Sequence, residues 1–184
     1  TLCGWSLGAM LAMRAALLAP QRVAGLVLVG ATASFTQRSG WPEAQPPALL
    51  DSFSDSITRQ PEQTLQRFVA LLCQGDHQAR SLTRTLRAGL RNAPVPASNV
   101  LSRGLHWLRE VDLRALLPAL TTRSLLIHGE NDALNPLAAA RRLAGLLPDA
   151  RLEVFAGAGH APFLADPQRF IQLLDDFRDA HTNS

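Results

Sequence analysis

The chain has 184 residues, the size of one domain with at most a small appendage. Its residues are 47% hydrophobic and 18% charged, which excludes general disorder, and Arg or Pro interrupts every apolar run before the roughly 18–20 residues a membrane span needs. All 18 basic residues are Arg, yet the formal net charge is only +3, too small an excess to argue for a nucleic-acid partner.

In chain order, Thr1 opens the sequence with no initiator Met and no signal peptide, and a motif follows within four residues. This beginning reads as the later part of a longer sequence. Two cysteines, Cys3 and Cys73, make neither a disulfide framework nor a zinc cluster, so a reducing cytoplasm is expected. Residues 7–18 are Ala, Leu and Met-rich and predict a helix closed by Pro20. Residues 23–29 form a continuous apolar run bounded by Gly30, as a strand buried on both faces does. Residues 123–128 and 151–155 predict two more such strands. Between them 136–147 predicts a helix opened by Pro136, and 167–180 a last amphipathic helix with Phe170, Ile171, Leu174 and Phe177 on one side. This is α/β grammar, a mostly parallel sheet wound with helices. Residues 1–33 and 119–184 make the core. Residues 34–118 show no strand-like run and several helical ones, too long for a connection of 2–6 residues, so they are expected to form an all-helical lid.

Gly4-Trp5-Ser6-Leu7-Gly8 is a G-x-S-x-G motif. It predicts a sharp strand-to-helix turn that strains the serine, with glycines two before and two after leaving room for it. Ser6 Oγ would stand at the start of helix 7–18, with the Leu7 amide aimed at a developing oxyanion. A serine nucleophile needs a base, and the base an orienting carboxylate. His160, in the loop Gly157–Phe163 after strand 151–155, is the expected base, and His128 at the end of strand 123–128 its rival. His77, His106 and His181 read as surface or lid residues. Asp132 follows strand 123–128 directly and is the expected acid, with Glu130 as competitor and a helix-capping role as its plain alternative. The chain order Ser6, Asp132, His160 is that of α/β-hydrolases. Their second oxyanion amide comes from a loop after an earlier strand, which this sequence does not contain; the 184 residues on their own are therefore expected to be inactive.

The lid carries a second signal. From 63 to 109 there are seven Arg and one acid, Asp76. Arg80, Arg84, Arg87 and Arg91 share a helix face, as Leu82, Leu86 and Leu90 share another. The stripe reads either as a solvated face or as a docking surface for an acidic partner, since Arg suits carboxylate and phosphate. Phe68 to Leu72 form an apolar run expected in part to wall an acyl pocket, together with Trp5, Leu7 and Phe163.

The elbow, with Gly40-Trp41-Pro42, Gln66 to Leu71, Val111 to Arg114 and His160-Ala161-Pro162-Phe163, resembles the pimeloyl-carrier-protein methyl ester carboxylesterases of biotin synthesis. The likeness runs over almost all 184 residues and would correspond to the last two-thirds of a family member. It implies an α/β-hydrolase fold and a cytoplasmic, monomeric, cofactor-free serine esterase that releases methanol from the methyl ester of pimeloyl carried on acyl carrier protein. It further implies Ser6 as nucleophile, Asp132 as orienting acid and His160 as base. Substrate contacts would come from Ser6, Leu7, Phe68, Val69, Ala70, Leu71, Leu72 and His160, and carrier docking from Arg67, Arg80, Arg84 and Arg87. No metal, nucleic acid or membrane enters this reading. A general carboxylesterase or C–C bond hydrolase with the same three residues, and a non-enzymatic ligand-binding member, remain alternatives.

Overall fold

The computed structural model describes residues 1–91 and 96–182. Four strands, β1 (Leu2–Trp5), β2 (Leu26–Val29), β3 (Ser124–Gly129) and β4 (Ala150–Phe155), lie side by side in chain order, all parallel. Parallel neighbours require crossovers, and helices α1 (Leu7–Leu18) and α6 (Leu137–Leu146) provide two of them. The strand residues alternate between two buried faces. Leu26, Leu28 and Leu126 pack with Met10, Met13 and Ala16 of α1 and with Leu143 of α6. Val27, Val29, Leu125 and Ile127 pack with Phe170, Leu173 and Phe177 of the last long helix, α8 (Pro167–Thr182), which follows the short α7 (Pro162–Ala165). Each such Leu or Ile, fully buried, contributes about 1.5–3 kcal/mol. That burial on both faces is why β2 and β3 read as apolar runs, whereas β4, expected as another such strand, is buried only at Phe155.

Helix α1 spans the predicted residues, the third strand and α6 differ from prediction by one residue at each end, and the fourth strand by one residue at its start. The strand expected over 23–29 is shorter, because residues 20–22 form a 3-10 turn and the chain turns into the sheet only at Leu26. β1 was not anticipated as an element in its own right.

Between β2 and β3 come four helices, α2 (Pro47–Arg59), α3 (Pro61–Leu72), α4 (Ala79–Arg91) and α5 (Ser98–Glu110), and no strand among the described residues; residues 92–95 of the expected lid lie outside them. The segment leaves and returns at one place. Ser34 bridges to Asp112, and the Leu113 N–H donates to the Ala33 carbonyl at 2.9 Å. Fully buried Trp41 sits against this seam, its Nε1–H donating to Ser34 O at 3.1 Å with Arg142 over its ring. Closed off in this way, α2–α5 can stand over the carboxyl ends of the strands without entering the sheet. α2 packs on α3 and α5, and α3 on α4.

Candidate active site

Because β1, β3 and β4 are parallel, their carboxyl ends share one edge, and Ser6, Asp132 and His160 follow those three ends. Ser6 has φ 56° and ψ −119° and is the one non-glycine residue with positive φ among those described. That conformation costs on the order of 1–3 kcal/mol and is held by the Ser6 N–H donating to Val29 O at 2.9 Å. A side chain at Gly4 would collide with the Gly8 carbonyl. Gly8 itself departs from expectation: a Cβ there meets nothing within 4 Å among the described residues. Leu7 is the first residue of α1, where an amide has no intrahelical acceptor.

The expected acid and base meet in the interior. Asp132 is 5% exposed and His160 fully buried. Asp132 Oδ1 accepts the N–H groups of Leu134 and Asn135 at 2.9 and 2.8 Å, while Oδ2 stands 2.7 Å from His160 Nδ1. One carboxylate thus ties its own turn and faces the imidazole as well. A carboxylate can only accept, so Nδ1 carries the proton and Nε2 presents a lone pair in the neutral ring. His160 Nε2 is buried and has no hydrogen-bond partner among the described residues.

His128 reaches the same carboxylate from the other side, with Nε2 3.3 Å from Asp132 Oδ2, but its short contact is 2.7 Å to the Asn135 carbonyl. That acceptor fixes its proton on Nε2, and burial pushes its pKa down against the pull of Asp132. Glu130 turns away: its Oε2 accepts the Gly157 N–H at 2.8 Å. His77 and His106 are exposed, and the side chain of His181 lies outside the described residues.

Above Ser6 is a cavity of about 410 Å³. Ser6 and Leu7 form part of its floor, Leu50 and Phe53 of α2, Phe68 and Leu72 of α3, and Leu101 and Leu105 of α5 its walls. Among its lining residues the only side chains with a polar hydrogen are Ser6 and Trp5, and the Trp5 Nε1–H is spent on His160 O at 2.8 Å. No charged residue lines it. Of the run expected to touch substrate, Phe68, Leu71 and Leu72 line the cavity. Val69 and Ala70 do not, because a helix cannot turn five consecutive side chains to one side. His160 contributes no wall. Phe163 is also outside the lining and packs edge-on to Trp5 at 5.1 Å, bracing a residue that does line it.

Arg67, Arg80 and Arg84 are exposed and form no ion pair among the described residues. Arg87, expected on the same docking face, is half-buried instead. Its Nη2–H donates to Gln66 O of α3 at 3.3 Å, and its Nε is buried without a partner.

The α/β-hydrolase fold family model matches residues 1–167. The chain is 43% identical over 176 residues to the pimeloyl-acyl-carrier-protein methyl ester esterase of Nitrosomonas europaea, covering 95% of this chain and 69% of that protein. It is 39% identical to the protein of the same name from Serratia marcescens, covering 97% and 69%. The chain belongs to the α/β-hydrolase family and, within it, to these esterases. Among solved structures, an esterase from Exiguobacterium antarcticum is 28% identical with TM-score 0.85, covering 96% of this chain and 65% of that one. A bromoperoxidase from Bacillus anthracis, 18% identical with TM-score 0.88, shares the fold.

Three further residues around the site of this esterase chain receive no role from the sequence. Gly30 (φ +53°) lies under the base, and a Cβ there would stand 3.0 Å from His160 Cε1. Asn135 is buried, accepts from His128, and donates from Nδ2 to Gly30 O at 2.6 Å. Asp76 is buried and accepts the Gly159 N–H at 3.0 Å. Only for Gly30, where an apolar run stops at a glycine just past a strand, did the sequence hold a usable signal.

Proposed function

We propose that this protein is a serine carboxylesterase that hydrolyses the methyl ester of pimeloyl carried on acyl carrier protein, giving the carrier-bound free acid and methanol. The observation that carries the reading is a cavity with no charged wall, whose one unspent side-chain hydroxyl is Ser6, together with a buried His160 whose Nδ1 faces Asp132 and whose Nε2 has no partner among the described residues. Ser6 Oγ attacks the ester carbonyl as Nε2 takes its proton, and the Leu7 amide receives the oxyanion. The imidazolium is stabilised through Nδ1–H by Asp132. Methanol leaves with the proton from Nε2, and a water, deprotonated by the same nitrogen, cleaves the acyl-enzyme to the carboxylic acid. An uncharged acyl chain suits the apolar walls, each buried methylene being worth about 0.8 kcal/mol; the new carboxylate does not, which favours product release.

The relatives' names supply the substrate, and the uncharged walls agree with it. Residues 34–118 act as the lid. Arg67, Arg80 and Arg84, exposed and unpaired by acids, dock the acidic carrier, in a cytoplasmic monomer without a cofactor. The test reverses Arg80 and Arg84 to Glu. Each exposed contact is worth about 0.5–1 kcal/mol, so kcat/KM on the carrier-linked ester falls roughly 10-fold or more, with the loss shrinking at high salt. A short free ester such as p-nitrophenyl butyrate is turned over unchanged. Equal losses on both substrates, or no loss on either, return the protein to a general esterase without carrier docking.

A further inference from the structure

The base loop, 157–160, is held by the helical insert as well as by the sheet. From the sheet side, Asn131 N–H donates to Ala158 O at 2.9 Å, Gly157 N–H to Glu130, and Trp5 Nε1–H to His160 O at 2.8 Å, besides the Asp132 contact at Nδ1. From the insert, the turn joining α3 to α4 makes three bonds. His77 N–H donates to Gly157 O at 3.0 Å, His160 N–H donates to Leu72 O at 3.0 Å, and Gly159 N–H donates to Asp76 Oδ2 at 3.0 Å. Only the last uses a side chain. Asp76 is 8% exposed, in a stretch of insert that is otherwise basic. Its second oxygen, Oδ1, accepts the Gln78 N–H at 2.7 Å and so forms the turn that starts α4. A buried carboxylate accepting two amides makes charge-assisted bonds, stronger than the neutral ones beside them.

Asp76 is therefore bound at one oxygen to the residue before the base and at the other to the helix that bears Arg80 and Arg84. Gly159 leaves no slack: a Cβ there would lie 3.1 and 3.2 Å from the Gln74 and Leu72 carbonyls. We propose that Asp76 is a positioning residue for His160, fixing the base loop through the Gly159 amide so that the imidazole and the start of α4 move as one body. The proposal rests on His160 being the base.

The test compares Asp76→Ser, Asp76→Ala and Asp76→Asn in the whole protein, with functional sites counted by a fluorophosphonate label taken to completion. Serine can still accept from the Gln78 N–H, two residues on, but is too short for Gly159. Asparagine can turn its carbonyl to Gly159 and give up Gln78. Misplacing a reacting group by about 1 Å can cost roughly 100-fold. Asp76→Ser and Asp76→Ala should therefore lose about 10- to 100-fold in kcat per labelled site with KM little changed, on p-nitrophenyl butyrate and on the carrier-linked ester alike. Asp76→Asn should recover kcat to within about threefold of wild type despite a lowered Tm. If Asp76→Ser keeps wild-type kcat, if Asp76→Asn is no better than Asp76→Ser, or if the loss is confined to the carrier-linked ester, Asp76 does not position the base. His160→Gln separates the two ideas: if that variant stays active, the underlying base assignment has failed and this proposal falls with it.

Discussion

Asp132→Asn isolates one atom of the proposed machinery. In the native turn, Oδ1 accepts two amides, from Leu134 and Asn135. Asparagine has one oxygen, and only that oxygen can face the two donors, so its NH₂ must take the place of Oδ2, 2.7 Å from His160 Nδ1. An NH₂ group cannot accept the Nδ1 proton. The imidazole must then accept at Nδ1 and carry its hydrogen on Nε2, the nitrogen that should take the proton from Ser6. The ring stays in place while the base disappears. Substitutions of this kind in other serine hydrolases cost on the order of 10⁴-fold, about 5.5 kcal/mol of barrier, and the same is expected here in kcat on p-nitrophenyl butyrate. Both amide bonds to the turn survive, so stability should change by less than about 1 kcal/mol, roughly 2–4 °C in Tm. Labelling of Ser6 by a fluorophosphonate should slow in parallel. Glu130→Gln is the control, with a loss below about threefold, since Glu130 faces the Gly157 amide. Asp132→Asn retaining a tenth of wild-type kcat, or Glu130→Gln matching its loss, would refute this account of the base.

Three further outcomes follow from the same geometry. Ser6→Gly removes the nucleophile but relieves the φ 56° strain, so an inactive protein with a Tm raised by about 2–4 °C is expected in calorimetry. His128 has a pKa below the ordinary 6.5 in the fold, so the unfolded chain binds its proton more readily; its contribution to stability is present above about pH 6.5 and is lost as pH falls below that, and His128→Gln should flatten the fall in Tm on acidification. Gly104 lines the cavity with Leu7 Cδ2 3.6 Å from where its Cβ would lie; Gly104→Leu should cut kcat/KM on long-chain p-nitrophenyl esters by about 10-fold relative to the butyrate, the worth of nearly two methylenes.

What was legible in the sequence was what is decided locally. The 7–18 helix follows from Ala, Leu and Met in series, and the elbow from a glycine whose side chain would strike the next turn. The two central strands declare themselves because helices cover both of their faces. Facing was harder. Leu65, Phe68, Leu71 and Leu72 line the cavity, a spacing of three and four that the run Phe68 to Leu72 obscured by being apolar all round. Arg87 lies seven residues from Arg80 and should share its face, yet its guanidinium folds onto Gln66, a partner that sequence spacing cannot reveal. Asp76 is harder still, because the amide it holds belongs to Gly159, 83 residues on.

The strand between those bearing Ser6 and Asp132 makes room for the loop that carries His160. The order β1, β2, β3, β4 puts Ser6 at one edge and the base loop three strands away. For His160 to act on Ser6, its loop must come back across the ends of β3 and β2, and the structure shows how each end makes way. Gly129, closing β3, leaves room that a Cβ would take from the Gly159 carbonyl. Gly30, just past β2, sits against the imidazole itself, and its positive φ turns the chain aside, a conformation that costs glycine little. Its carbonyl is then free to accept Asn135 Nδ2–H, and Asn135 N–H in turn binds Asp132 Oδ1. β2 therefore supplies no reacting side chain. It supplies the glycine that makes room for the His160 imidazole, and the carbonyl that anchors the turn bearing Asp132. Two requirements, a strained serine at one strand end and an unstrained glycine at the next, are thus met by residues joined through a single hydrogen bond, Ser6 N–H to the Val29 carbonyl.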